Sequence, residues 1–130
     1  NKYVLINREK SIAFKSLGQL RYLSALEHVD LVIGNSSSGL IEVPSFNKPT
    51  INIGDRQKGR MKAISVIDCI PERKSIIAAI NKSLSKNFQA KIKKFSNPYD
   101  GGKVSQKIKN IIKKFDLKSI LKKEFYDLWE

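Results

Sequence analysis

Ser36, Ser37 and Ser38 stand side by side between Gly34-Asn35 and Gly39, directly after the aliphatic stretch Asp30-Leu31-Val32-Ile33. Hydroxyls gathered where a strand gives way to a helix can hold an anion. The first N–H groups of a helix have no intrahelical partner, and the helix dipole favours negative charge there. Gly39 would let a ligand come close to the backbone. Serines also cap helices, and the cluster alone fits capping better than binding. It is neither a phosphate loop ending in Gly-Lys-Ser/Thr nor a GxGxxG turn, and no GxSxG elbow occurs.

Glu42 adds a carboxylate one turn beyond Gly39. It could complement the dipole or complete a capping box with Ser38 or Gly39. It could also accept both hydroxyls of a ribose. Arg56, with Arg60 as a further candidate, follows the next aliphatic stretch, Thr50–Ile53. Guanidinium groups at that edge suit a diphosphate. Hydroxyls for phosphate, a carboxylate for ribose and a guanidinium for charge together describe a nucleotide site.

These residues need an α/β frame to meet. Asp30–Gly34 predicts a strand buried on both faces of a parallel sheet, and Thr50–Ile53 and Ala63–Asp68 predict two more. Tyr3–Ile6 and Ile12–Phe14 are shorter β-like runs. Gln19–Val29 carries apolar residues at helical spacing. Leu40, Ile41 and Val43 predict a short helix, with Pro44 in its first or second turn. Arg73–Leu84 and Val104–Phe115 predict longer helices, Phe88–Phe95 an irregular or marginally helical stretch, Asn97–Gly102 a turn cluster and Leu117–Trp129 a last helix. Strands alternating with helices imply a mostly parallel sheet, whose ligands bind outside the carboxyl ends of the strands.

Composition narrows the classes. At 130 residues the chain suits one domain with a real core, and 41% hydrophobic residues exclude a disordered chain. The net charge of +13 invites a nucleic-acid reading, kept here as an alternative. The excess is concentrated in Lys of the C-terminal third, without interleaved aromatics for base stacking, and fits a solvated face better. There is no apolar run long enough for a membrane span and no visible signal peptide, so a cytoplasmic protein without membrane partners is expected. One cysteine, Cys69, excludes an internal disulfide, and its apolar neighbours predict a buried thiol. One histidine, His28, cannot form a metal site alone and reads as structural; no metal or cofactor is expected.

Gly34-Asn35-Ser36-Ser37-Ser38-Gly39, Glu42 and Gly54-Asp55-Arg56-Gln57-Lys58-Gly59-Arg60 resemble the hydrolysing UDP-N-acetylglucosamine 2-epimerases, including those of bacterial sialic-acid pathways. Ser16–Leu23 and Asn97-Pro98-Tyr99 fit the same family, so the likeness runs from about Phe14 to Phe115. It implies a Rossmann-like parallel sheet with helices on both faces, the C-terminal domain of a glycosyltransferase-B type fold. Residues 1–130 would be that single nucleotide-binding domain, with residues 116–130 as its closing helix. Phe125, Tyr126 and Trp129 would pack there against the first half.

The resemblance further implies that Ser36 and Ser37, helped by Ser38 and Gly39, contact the diphosphate. Glu42 would bind the ribose, Arg56 the phosphates or site rim, and the Leu17 backbone the uracil edge. UDP or UDP-N-acetylglucosamine would be the ligand. The family reaction eliminates UDP and adds water to the glycal, releasing N-acetylmannosamine. Its catalytic groups lie in regions that this chain lacks. A missing N-terminal domain is therefore expected, with an isolated chain that is inactive. The sequence is compatible with a homo-oligomer and fixes neither the oligomeric state nor whether the base is uracil or guanine. A nucleotide-binding half of a glycosyltransferase of the same fold is the alternative enzyme reading.

Overall fold

The computed structural model describes residues 2–116. They fall into two compact units, the first ending at Asp100 and the second starting at Gly101. In the first unit three parallel strands, β1 (Val32–Gly34), β2 (Thr50–Ile53) and β3 (Val66–Cys69), lie in the order β1-β2-β3. Gly34, Asn52 and Asp68 pair across the sheet near its carboxyl edge.

Alternation along β2 explains how both faces are covered. Ile51 points to one side, where it forms the core with Ile67 and Ala79, the latter from α4 (Arg73–Leu84). Thr50 points to the other side, where its hydroxyl donates to the Gly39 carbonyl of α3 (Ser38–Ile41) at 2.8 Å. Helices on both faces of a parallel sheet make this a Rossmann-like α/β fold. The expectation of a first strand buried on both faces is corrected: Ile33 is 47% exposed. α4 packs across β2 and β3, and β1 is an edge strand among the described residues, outside the pair that α4 covers.

Helix α2 runs Gly18–His28 and α4 runs Arg73–Leu84, close to their predicted spans. His28 is the last, exposed residue of α2. Two expectations fail, and one of them is Ile12–Phe14, which forms no strand. Tyr3–Ile6 is not strand-like but lies in a single helical turn, α1 (Lys2–Ile6), closed by Asn7 N–H and its side-chain amide on the Tyr3 carbonyl. A short apolar run without a neighbouring strand satisfies its backbone only within itself. Of the two forms expected after α4, the helical one is present: residues 86–92 form α5 (Lys86–Ile92), because Ser85 ends α4 in an extended conformation and its hydroxyl accepts from Phe88 N–H.

The short helix predicted after the serines is two pieces. α3 stops at Ile41, and a 3-10 turn, Val43–Phe46, starts with Pro44 near its head. Asn97 holds this junction by donating to the Ile41 carbonyl at 2.7 Å and the Ser45 hydroxyl at 2.8 Å. The second unit contains α6 (Val104–Lys114), fully exposed, with Val104, Ile108, Ile111 and Ile112 among its lysines. The predicted helix Leu117–Trp129 and its aromatic residues lie outside the described residues.

Candidate functional site

The chain leaves β1 through Gly34 and Asn35 and turns at once into α3, so Ser36–Ser38 lie at the carboxyl edge of the sheet. Ser36 Oγ accepts from Ser38 N–H at 3.4 Å, while Ser36 carbonyl and Ser37 carbonyl take the Gly39 and Leu40 N–H groups. Ser37, at the N-cap position, makes no side-chain capping hydrogen bond, whereas Ser36 Oγ takes the first N–H of α3. Capping therefore accounts for Ser36 and not for Ser37 or Ser38. With only four residues, α3 has little dipole of its own.

Gly39 has a packing reason to be glycine. It is buried against β2, and a Cβ there would lie 2.6 Å from Thr50 Cγ2. Its small size serves the approach of α3 to the sheet.

A cavity of about 580 Å³ lies between the start of α2 and α3, lined by Ser16, Leu17, Gly18, Gln19, Tyr22, Ser38 and Glu42. It unites three predicted residues, Leu17, Ser38 and Glu42, from separate segments. Leu17 is the N-cap of α2 and is half-buried. Glu42 is half-buried at the end of α3, and among the described residues its carboxylate has no hydrogen bond or ion pair. Tyr22 was not singled out from sequence. Its hydroxyl lies 2.7 Å from Ser38 Oγ inside the same cavity. Its position one helical turn after Gly18, on the apolar side of α2, was the available signal.

Arg56 reaches this edge from the loop after β2. The loop starts at Gly54, whose φ of +79° suits glycine. Arg56 Nη1 lies 3.5 Å from Asn35 Oδ1, and Gln57 Nε2 donates to the Asn35 carbonyl at 2.8 Å. Arg56 thus stands beside the serine loop. Arg60 is exposed on the same loop, and its side chain joins none of these contacts.

A larger cavity, about 730 Å³, opens at the ends of β2 and β3 beside Gly54, Asp55, Asp68, Cys69, Ile70, Pro71 and Ser75. None of the predicted nucleotide residues lines it, so size alone does not mark the site. Cys69 is only partly buried there; burial, then the neighbouring Asp68 charge, push its thiol pKa up. Among the described residues no group of three or more His, Cys, Asp or Glu could hold a metal ion, and no helix is long and apolar enough to cross a membrane.

Asp68 belongs to a polar row that sequence reasoning missed. Lys62 Nζ pairs with its carboxylate at 2.7 Å, and Asn52 Nδ2 donates to it at 2.6 Å. Burial raises its pKa, but the hydrogen bonds from Lys62 and Asn52 and the Lys62 charge outweigh that and hold it below the ordinary carboxylate range. A depressed folded-state pKa gives stability that is present above the unfolded-state pKa and lost as the pH falls through the folded one. With both side chains partly exposed, the pair contributes less than about 1 kcal/mol. Asp68→Asn should therefore lower the urea midpoint slightly at neutral pH, with the difference from the parent vanishing in acid.

A family model described as UDP-N-acetylglucosamine 2-epimerase matches residues 2–113, most of the chain. The chain belongs to the UDP-N-acetylglucosamine 2-epimerase family. Within it, the chain is 44% identical over 126 residues to the polysialic acid biosynthesis protein P7 of Escherichia coli, covering 93% of this chain. It is 45% identical over 127 residues, 97% of its length, to a GDP/UDP-N,N'-diacetylbacillosamine 2-epimerase (hydrolyzing) of Campylobacter jejuni. It is 37% identical over 105 residues, 81% of its length, to the UDP-N,N'-diacetylbacillosamine 2-epimerase (hydrolyzing) of Legionella pneumophila. The chain spans 32%, 33% and 27% of the lengths of these three relatives. The family fold is of the glycosyltransferase-B type, and the epimerase-family chain described here contributes one Rossmann-like sheet to it.

Proposed function

We propose that this chain is the nucleotide-holding part of a longer hydrolysing 2-epimerase, which takes a UDP-linked 2-acetamido sugar and water and releases UDP and the free 2-epimeric sugar. N-Acetylmannosamine, or a related diacetamido sugar, for sialic-acid or another nonulosonic-acid synthesis is the product that fits the names of the relatives. Residues 1–130 act as a single nucleotide-binding domain. A cytoplasmic site of action is part of this reading.

The observation that carries the reading is the cavity that joins Leu17, Ser38 and Glu42. A nucleoside diphosphate needs an edge for its base, an acceptor for its vicinal hydroxyls and donors for its phosphates. Leu17 backbone, the unpaired Glu42 carboxylate and the Ser36–Ser38 hydroxyls supply these, with Gly39 packing α3 in place and Arg56 adding positive charge. No group of this chain is assigned to proton transfer at the sugar; those groups belong to the remainder of the longer protein.

The full-length protein should convert UDP-N-acetylglucosamine or its diacetamido relative to UDP and a free sugar, with solvent oxygen from labelled water in the product. This chain alone should give no turnover. Transfer of the sugar to an acceptor instead of water would favour a glycosyltransferase. Tyr22→Phe removes a hydroxyl that orients Ser38, and should raise KM for the sugar nucleotide about threefold to tenfold, the range of one neutral hydrogen bond. Steady-state kinetics at fixed pH checks it.

A further inference from the structure

We infer that Gln57 is a positioning residue for the nucleotide: it fastens the loop after β2 to Asn35 and so sets Arg56 against the serine loop. The inference rests on the nucleotide reading above. Gln57 is 3% exposed, whereas Asp55, Arg56, Lys58, Gly59 and Arg60 around it are all exposed. The loop is thus anchored through one buried amide. That amide donates at 2.8 Å to the carbonyl of Asn35, the residue between the end of β1 and Ser36.

Arg56 cannot fix itself in the same way. Its guanidinium is exposed, and its Nη1 lies 3.5 Å from Asn35 Oδ1, at the outer limit of a hydrogen bond. A long side chain so weakly held goes where its backbone points it, and loses most of its rotamer freedom only when an anion arrives. The backbone frame is set by the Gly54 turn on one side and by Gln57 on the other. Local turns complete it, with Lys58 N–H on the Asp55 carbonyl at 2.8 Å and Arg60 N–H on the Gln57 carbonyl at 3.3 Å. Gln57 therefore acts on the ligand through Arg56 and not by touching it.

The side chain is not an optimal packing choice. Its Oε1 is buried without a protein partner, which is unfavourable for folding. A Met at this position keeps the length of the side chain and removes both the donor and the orphaned acceptor, so Gln57→Met should fold with an unchanged or slightly higher urea midpoint.

The test is a double-mutant cycle in the full-length protein, with UDP as the probe and product inhibitor. Gln57→Met should weaken UDP about fivefold to tenfold and raise KM similarly, with kcat changed less than about twofold, on the scale of one neutral hydrogen bond. In an Arg56→Ala background the same substitution should add less than about twofold. Equal losses in both backgrounds, or no loss from Gln57→Met alone, would overturn the inference while leaving the nucleotide reading intact. If Arg56→Ala itself left UDP affinity unchanged, the assignment of Arg56 and this inference would fall together. Gln57→Leu runs the same cycle should the Met variant lose its fold.

Discussion

Glu42→Ala should weaken UDP binding by about a hundredfold, the largest loss expected from any one side chain of the site. The carboxylate is half-buried, lines the cavity with Leu17 and Ser38, and has no described partner of its own. A half-buried carboxylate without a partner of its own is available to take donors from a ligand. A ribose offers two adjacent hydroxyls, and charge-assisted hydrogen bonds contribute about 1.5–3 kcal/mol each, so losing the pair reaches roughly 3 kcal/mol. 2'-Deoxy-UDP separates this role from a general electrostatic one. The parent protein should discriminate strongly between UDP and its deoxy form, and Glu42→Ala should bind both alike. Titration calorimetry reads both numbers, with Glu27→Ala, an exposed carboxylate of α2 outside the cavity, as the control.

Gly39→Ala should destabilise the fold by about 2 kcal/mol, within the range for overpacking a tight contact. The new Cβ would meet Thr50 Cγ2 at 2.6 Å, and Thr50 is held by its hydrogen bond to the Gly39 carbonyl. The atom that obstructs is a single methyl group. Thr50→Ser removes it and keeps the hydroxyl, so the double variant should recover most of the lost stability. Urea unfolding of the two single variants and the double variant measures the coupling. If Gly39 were glycine only to admit a ligand, Gly39→Ala would keep its stability and lose UDP binding, and Thr50→Ser would rescue nothing.

Gly39 shows where sequence reasoning worked and where it stopped. Its place beside three serines after an aliphatic strand pointed to an anion site, because a strand-to-helix turn is a local feature. Its contact with Thr50 joins residues of different elements, and no local pattern announces it. The same divide separates the helices. α4 was legible from its start, since Pro71 and Glu72 stand just before the helix that begins at Arg73. Tyr3–Ile6 misled, because four apolar residues in a row fit a strand and a helical turn equally, and the absence of a pairing strand becomes visible only in the fold. Ser85 carried a usable signal for α5, a serine just before a helix-compatible stretch, outweighed by the weak apolar pattern after it.

The candidate site divides similarly. Ser36–Ser38, Glu42 and Arg56 could be named because their chemistry is unusual for their local positions. Tyr22, Gln57 and the Lys62-Asp68-Asn52 row could not, since each owes its role to a partner from another segment: Ser38, Asn35 or a neighbouring strand. The net charge of +13 was the most conspicuous feature of the composition, and the site uses little of it. Glu42 and Arg56 together contribute nothing to the net charge, while the lysines of α6 belong to the other unit.

One titration bears on all of this. UDP added to the isotope-labelled chain should shift the backbone amide signals of Leu17, Gly18, Ser36 to Glu42 and Arg56, saturably and together. The amides of Ile70 and Ser75 beside the larger cavity, and those of α6, should stay where they are. Shifts confined to α6 and abolished by moderate salt would instead mark an unspecific anion surface. Unmoved signals at Ser36 to Glu42 with UDP at millimolar concentration would contradict the assignment of this cavity to the nucleotide.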